Sequence, residues 1–203
     1  FDFLILTEAI DLNLKNFNYK YFSEEIPTHI LYETQNYSKI LNHEKGYRTI
    51  IYSKIPLSKK HQVIDDKTNI ALEFETKMGA IIIYATIIGT LFRQKPFAEI
   101  ELENCVNDCE RIFKTNKKIL IIGDFNTSFN KDEKQFGINS EITETLKKMI
   151  FNLELFNPTS NIKENIDHII IPKLFENKLI ETKLFIEKDI LSDHVGICIS
   201  LNP

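Results

Sequence analysis

The stretch Ile119-Leu120-Ile121-Ile122-Gly123-Asp124-Phe125-Asn126 decides the reading of this chain. It opens on a short aliphatic run rich in β-branched residues, the composition of a strand buried on both faces. Gly123 then permits a sharp backbone turn that a residue with a Cβ resists. Asp124 and Asn126 follow with one residue between them, so in an extended chain both side chains point the same way. A carboxylate and a carboxamide side by side at the end of a buried strand can together handle a water, a metal ion and an oxyanion. The competing reading is that Gly-Asp and Asn are turn formers that close the strand. The stretch alone supports both readings.

Other stretches shift the balance. Ile166-Asp167-His168-Ile169-Ile170-Ile171 sets an Asp-His pair at the start of another aliphatic strand. Leu191-Ser192-Asp193-His194-Val195-Gly196-Ile197 sets a second Asp-His pair just before the last strand. Near the start, Phe3-Leu4-Ile5-Leu6-Thr7-Glu8 reads as a buried strand ending on a carboxylate. This set, in this order, resembles the endonuclease/exonuclease/phosphatase superfamily. Its members are metal-dependent phosphoesterases, among them pancreatic deoxyribonuclease, abasic-site endonucleases, sphingomyelinases and inositol polyphosphate phosphatases. Gly-Asp-Phe-Asn and Ser-Asp-His match the family's motifs residue for residue, and the resemblance runs over nearly the whole chain. Family members open with an earlier strand carrying an Asn near the metal, and that strand is not in this sequence.

Composition is compatible with such an enzyme. The 203 residues suit one domain, 1–203, with a sizeable core. Hydrophobic residues make up 43% and charged residues 27%, ordinary for a globular domain. No apolar run approaches the roughly 20 residues that span a bilayer. Net charge is −4, from 25 basic and 29 acidic residues, which is not the basic footprint of most nucleic-acid binders. A small cleft needs only local positive charge and a metal ion, so nucleic acid stays open as a substrate. The 3 cysteines show no metal-binding pair spacing. Cys105 and Cys109 are expected as small apolar residues facing the core in a reducing, cytoplasmic setting. The chain opens at Phe1, without an initiator Met or signal peptide, so the terminus itself gives no compartment. No oligomeric state is legible.

The element pattern leads to a fold. A loop with a short helix is expected over 9–27. Strands are expected over 29–34, 47–52, 68–76 (half-exposed) and 79–88 (fully buried). A hairpin or wide turn would join the first two. Apolar residues at 102, 105, 106, 109, 112 and 113 form the stripe of a helix over 97–115, behind Pro96. A second helix, about 141–151, would bury Ile142, Leu146, Met149 and Ile150 behind Ser140 as N-cap. A loop over 152–165, a strand or short helix around 173–186 and a final strand over 195–200 complete the chain. Strands with amphipathic helices but no βαβ repeat predict an α/β (α+β) sandwich. By resemblance it is deoxyribonuclease-like: two packed mixed β-sheets flanked by helices.

The resemblance also implies roles. Glu8 would be the main ligand of Mg²⁺ or Mn²⁺, with Asp193 a second. Asp124 would orient or activate the attacking water, and Asn126 would hold that geometry and stabilise the oxyanion. His194 would contact the scissile phosphate, either as a proton acceptor or as a cation. Asp167 would fix its tautomer and orientation. Each has a plainer reading: Glu8 as a solvated strand-end acid, Ser192-Asp193 as a turn. Neighbours on a strand face opposite ways, so Asp167 is kept for the site and His168 left out. Where the family carries a His on the strand over 79–88, only Tyr84 or Thr86 stands in its place. The Trp or Phe of abasic-site enzymes is replaced by Asn165-Ile166, and the inositol phosphatase signature is absent. Lys54, Lys59, Lys60, Arg93 and Lys95 read as loop cations that could flank a cleft. Phe129 and Phe136 would either stack on a base or pack locally. The expectation is a metal-dependent nuclease. The alternatives are a phosphatase or phosphodiesterase on a small or lipid phosphate, and an inactive scaffold that binds a partner.

Overall fold

The computed structural model describes residues 1–25, 31–32, 35–36, 47–89, 97–130 and 140–203. The strands in chain order are β1 (Phe3–Ala9), β2 (Tyr19–Phe22), β3 (Leu31–Tyr32), β4 (Gln35–Asn36), β5 (Tyr47–Ser53), β6 (Lys59–His61), β7 (Ile70–Thr76) and β8 (Gly79–Ile87). Helix α1 (Phe97–Phe113), β9 (Ile119–Asp124), helix α2 (Ser140–Asn152), β10 (Leu155–Phe156) and β11 (Asp167–Pro172) follow. A 3₁₀ helix (Lys173–Lys178), β12 (Leu179–Ile186) and β13 (Gly196–Leu201) close the chain.

The main sheet has six strands in the order β10-β11-β9-β8-β7-β6, with the β8–β9 pair parallel and the rest antiparallel. The parallel pair needs a crossover, and α1 supplies it. Ile82, Tyr84, Ile119, Ile121 and Ile170 face the helices, packing with Leu102, Cys105, Cys109, Ile112, Leu146 and Met149. The other face is covered by a second layer, β1-β5-β2 and the β12–β13 hairpin. Ile51, Phe3 and Ile5 meet Leu72, Phe74 and Ile83 there, while Ile197, Ile199 and Leu201 meet Ile81, Leu120 and Ile169. Burial on both faces is why the central strands are aliphatic runs instead of alternating ones. The architecture is the α/β sandwich that the sequence pattern predicts.

Several segments differ from expectation. Residues 9–27 contain β2, a third strand held by β5, because Tyr19-Lys20-Tyr21-Phe22 alternates behind the Asn-rich run. β7 is mostly buried, not half-exposed, because the second layer covers its face; Glu75 is exposed and Glu73 half-buried. Lys59 and Lys60 lie on a strand, not a loop. The segment 152–165 includes β10, and 173–186 is both 3₁₀ helix and strand. Leu31–Tyr32 pairs with Gln35–Asn36, and β5 pairs with β1 and β2. The turn to Gly46, the rest of 29–34, Arg93, Lys95, Pro96, Phe136 and the Ser140 side chain lie outside the described residues. All three cysteines are buried and free, and Cys105 and Cys109 take the core role expected of them. Among the described residues no helix is long and apolar enough to cross a membrane.

Candidate active site

The site is built on the β9–β11 register. Asp124 and Asp167 are direct partners across this antiparallel pair, and Phe125 N continues the ladder by donating to Ile166 O at 3.0 Å. Direct partners sit about 5 Å apart at Cα, and a slip of one strand by one residue would put the two carboxylates on opposite faces. Gly123 makes the register possible. Its φ is +149°, and a Cβ there would lie 1.8 Å from the Thr86 carbonyl oxygen. Only glycine lets β9 run this close to β8.

Asp124 is 4% exposed. Its Oδ1 accepts from Asn126 N at 2.7 Å and its Oδ2 from Asn126 Nδ2 at 3.0 Å. The backbone is not extended at Asn126, as parallel side chains would require; φ is +48°, and the residue curls back onto Asp124. Asn126 Nδ2 also donates to Ile88 O at 2.8 Å, which ties it to the end of β8. Asn visits the left-handed region more readily than other residues with a Cβ, and its hydrogen bonds to Asp124 and Ile88 hold it there.

His194 Nδ1 lies 2.7 Å from Asp167 Oδ2, joining the loop before β13 to the start of β11. The Ser of Ser-Asp-His shapes this loop: its Oγ accepts from His194 N at 3.2 Å, a local side-chain turn. Buried Asn165 holds the other partner, its Nδ2 donating to Asp167 O and its Oδ1 accepting from Asp167 N. Ligand atoms of Asp124, Asp167 and His194 all lie within 4.8 Å of one another.

The ionisation of Asp124 and His194 is shifted by their surroundings. Burial, then the Asp167 charge, pushes the Asp124 carboxyl up to about 8; the Glu8 charge adds to the rise, and the His194 charge and Asn126 amide oppose it. The hydrogen bond to Asp167 raises His194 to about 9 against its partial burial, with the charges of Asp167, Asp124 and Asp193 helping. The site therefore holds protons and an imidazolium at neutral pH, the response of crowded carboxylates in a poorly solvated place.

Glu8 and Asp193 stand apart from this tight group. Glu8 lies near enough for its charge to act on Asp124, but its Oε1 accepts from Arg48 Nη1 and its own φ is +48°. Asp193 is exposed beside His194, its Oδ1 accepting from Ser192 Oγ at 3.3 Å. His168 faces away into the core. Its Nε2–H donates to Thr127 O at 2.8 Å, Phe129 meets it edge-on at 4.7 Å, and burial pulls its pKa down to about 4. It is a neutral core imidazole that staples the loop after β9 to β11, and Phe129 packs locally. Tyr84 and Thr86 are fully buried, bonded to Asp108 at 3.3 Å and Asn69 at 2.6 Å, so neither replaces a phosphate-facing His. Lys54 follows β5 at the end opposite Arg48, about 20 Å along the strand. Lys59 and Lys60 are on the outermost strand, β7 and β8 lying between it and β9, about 14 Å away. None of the three borders the Asp124–Asp167–His194 group. Arg48 and Asn165 are the residues at the site that sequence reasoning missed. Nothing in Tyr47-Arg48-Thr49 marks the arginine, and Asn165 was noted only for what it replaces.

No protein-family model and no curated protein matches the chain by sequence. Solved structures do match. The endonuclease domain of TRAS1, a telomere-specific non-LTR retrotransposon, aligns over 99% of this chain and 85% of its own with a TM-score of 0.69 at 12% identity. The 3′ phosphatase NExo from Neisseria, bound to product DNA hairpin, aligns over 99% and 89% with a TM-score of 0.67 at 12% identity. An AP endonuclease from Archaeoglobus fulgidus aligns over 100% and 89% with a TM-score of 0.63 at 12% identity. At this identity the likeness is one of fold. The chain has the endonuclease/exonuclease/phosphatase fold, a deoxyribonuclease-like sandwich, as its motifs imply.

Proposed function

We propose that residues 1–203 form one catalytic domain, a divalent-metal-dependent phosphoester hydrolase that cleaves nucleic-acid phosphodiesters. The observation that carries this is the Asp124–Asp167–His194 group, with Asn126 folded onto Asp124, at one end of β9 and β11. A binding scaffold has no use for a buried carboxylate held protonated, since that feature costs stability and adds no contact. The residues fit a divalent ion. The charges of Asp167 and Glu8 both bear on the Asp124 carboxyl, and carboxylate oxygens suit Mg²⁺ or Mn²⁺. Glu8 and Asp193 would hold it, and it would supply Lewis-acid polarisation of the phosphoryl oxygen.

The chain's own residues do the rest. Asp124, oriented by both donors of Asn126, takes the proton of the attacking water in its ionised form, and a pKa raised to about 8 makes it a stronger base than an ordinary carboxylate. Asn126, its two Nδ2 protons given to Asp124 and to Ile88 O, holds that carboxyl in place. Asp167 holds His194 Nδ1–H and leaves Nε2 free to donate to a phosphate oxygen, which favours the cationic role for His194. Nucleic acid as substrate is supported by what the similar structures are: an endonuclease domain, an AP endonuclease and a 3′ phosphatase bound to DNA. The lysines expected to flank the cleft lend no support. The test compares kcat/KM on an oligonucleotide diester, a 3′-phosphorylated oligonucleotide and a soluble phosphomonoester, with Mg²⁺ or EDTA, at two salt concentrations. Diester cleavage that needs metal and weakens with salt is expected. Preference for the free monoester, or cleavage indifferent to salt, would replace the nuclease reading with a phosphatase.

A further inference from the structure

Glu8 owes its place to one residue. Thr7 pairs with Thr49 and Ala9 with Tyr47, so Arg48 faces Glu8 across β1 and β5. Glu8 departs from the ladder with φ +48°, and Arg48 Nη1 donates to its Oε1. Among the described residues no donor reaches Oε2. Arg48 is 2% exposed, and among the described residues its buried Nε has no partner. Burial also holds its pKa below the usual arginine value despite the nearby Glu8 and Glu101 charges. A buried guanidinium with an orphan N–H is a poor way to stabilise a fold, because its desolvation is incompletely repaid. A group placed at that cost points to a use beyond packing.

We propose that Arg48 is the positioning residue for Glu8: it saturates Oε1 and leaves Oε2 as the single carboxylate oxygen turned toward a divalent cation. This rests on the reading of Glu8 as a metal ligand. Two effects of opposite sign compete, since the arginine charge repels a cation while its hydrogen bond fixes the ligand. The left-handed backbone at Glu8 decides for positioning, because without Arg48 the carboxylate is free to leave that strained placement.

The test measures Mn²⁺ binding to the purified chain by the electron paramagnetic resonance signal of free Mn²⁺, without substrate. Variants are Arg48→Met, Arg48→Lys, Glu8→Gln and the doubles of Glu8→Gln with each, all checked for folding by circular dichroism. Arg48→Met is expected to weaken binding about 10-fold or more, and Arg48→Lys by less. Each double should bind no more weakly than Glu8→Gln alone, since Arg48 acts only through Glu8. If Arg48→Met does not fold, the cycle with Arg48→Lys decides. Unchanged or tighter Mn²⁺ binding in the Arg48 variants, or losses that add in the doubles, overturns the proposal and leaves Glu8 a ligand. Unchanged binding in Glu8→Gln overturns both it and the metal reading of Glu8.

Discussion

Replacing Asp124 by Asn removes a carboxyl group that the fold holds at an adverse ionisation. Burial and the neighbouring Asp167 raise it from 3.8 to about 8. A group with a raised folded-state pKa takes up a proton on folding. Its contribution is fully present below the unfolded value and is lost as pH rises through the folded one. Each pH unit inside that window changes stability by about 1.4 kcal/mol per proton. From pH 5 to pH 8 the wild type should therefore lose up to about 4 kcal/mol from this group alone. His194 shares the same proton traffic, so about 2 kcal/mol is the expected difference from the variant. The introduced amide still accepts from Asn126 N but sets an NH₂ against Asn126 Nδ2, a loss of about 1 kcal/mol that does not vary with pH. The slope thus separates ionisation from hydrogen bonding. Urea unfolding of both proteins in EDTA at several pH values measures it. The variant should gain on the wild type as pH rises, while its turnover falls by about 10²-fold or more. Parallel stability profiles would refute the buried, proton-holding Asp124.

Asp167→Asn should lower turnover by about 10²-fold or more and bring the His194 pKa down from about 9, because the charged acceptor of the hydrogen bond that raises it most is replaced by a neutral amide; an imidazole NMR titration in EDTA reads the shift. His168→Leu should cost about 2–3 kcal/mol, since Thr127 O then lacks the donor it has at 2.8 Å, yet leave kcat of the folded protein largely intact. Thermal melts with parallel assays check both halves. Gly123→Ala should cost more than about 4 kcal/mol or abolish folding, because backbone and not a pliable side chain meets the new methyl at 1.8 Å; soluble yield and urea midpoint decide.

The sequence by itself determined the features whose signals are local. A run of β-branched residues specifies β9, a stripe at helical spacing specifies α1, and Gly-Asp-Phe-Asn specifies a strand end bearing a carboxylate. Strand alternation was enough to separate Asp167 from His168, since adjacent side chains must part company. Burial, in contrast, is set by what covers a strand, so β7 looked half-exposed until the second layer lay on its face. Lys54, Lys59 and Lys60 read from sequence as bordering the site because sequence carries charge but not position in the strand order. Arg48 was invisible for the same reason. It stands 40 residues from Glu8, and only the register of β1 on β5 makes the two neighbours. Likewise Asp167 and His194 are 27 residues apart and meet because a loop brings the start of β13 to the start of β11. Local propensity acts over a few residues, whereas a site of this kind is assembled by cross-strand register and layer packing, which no window of sequence contains.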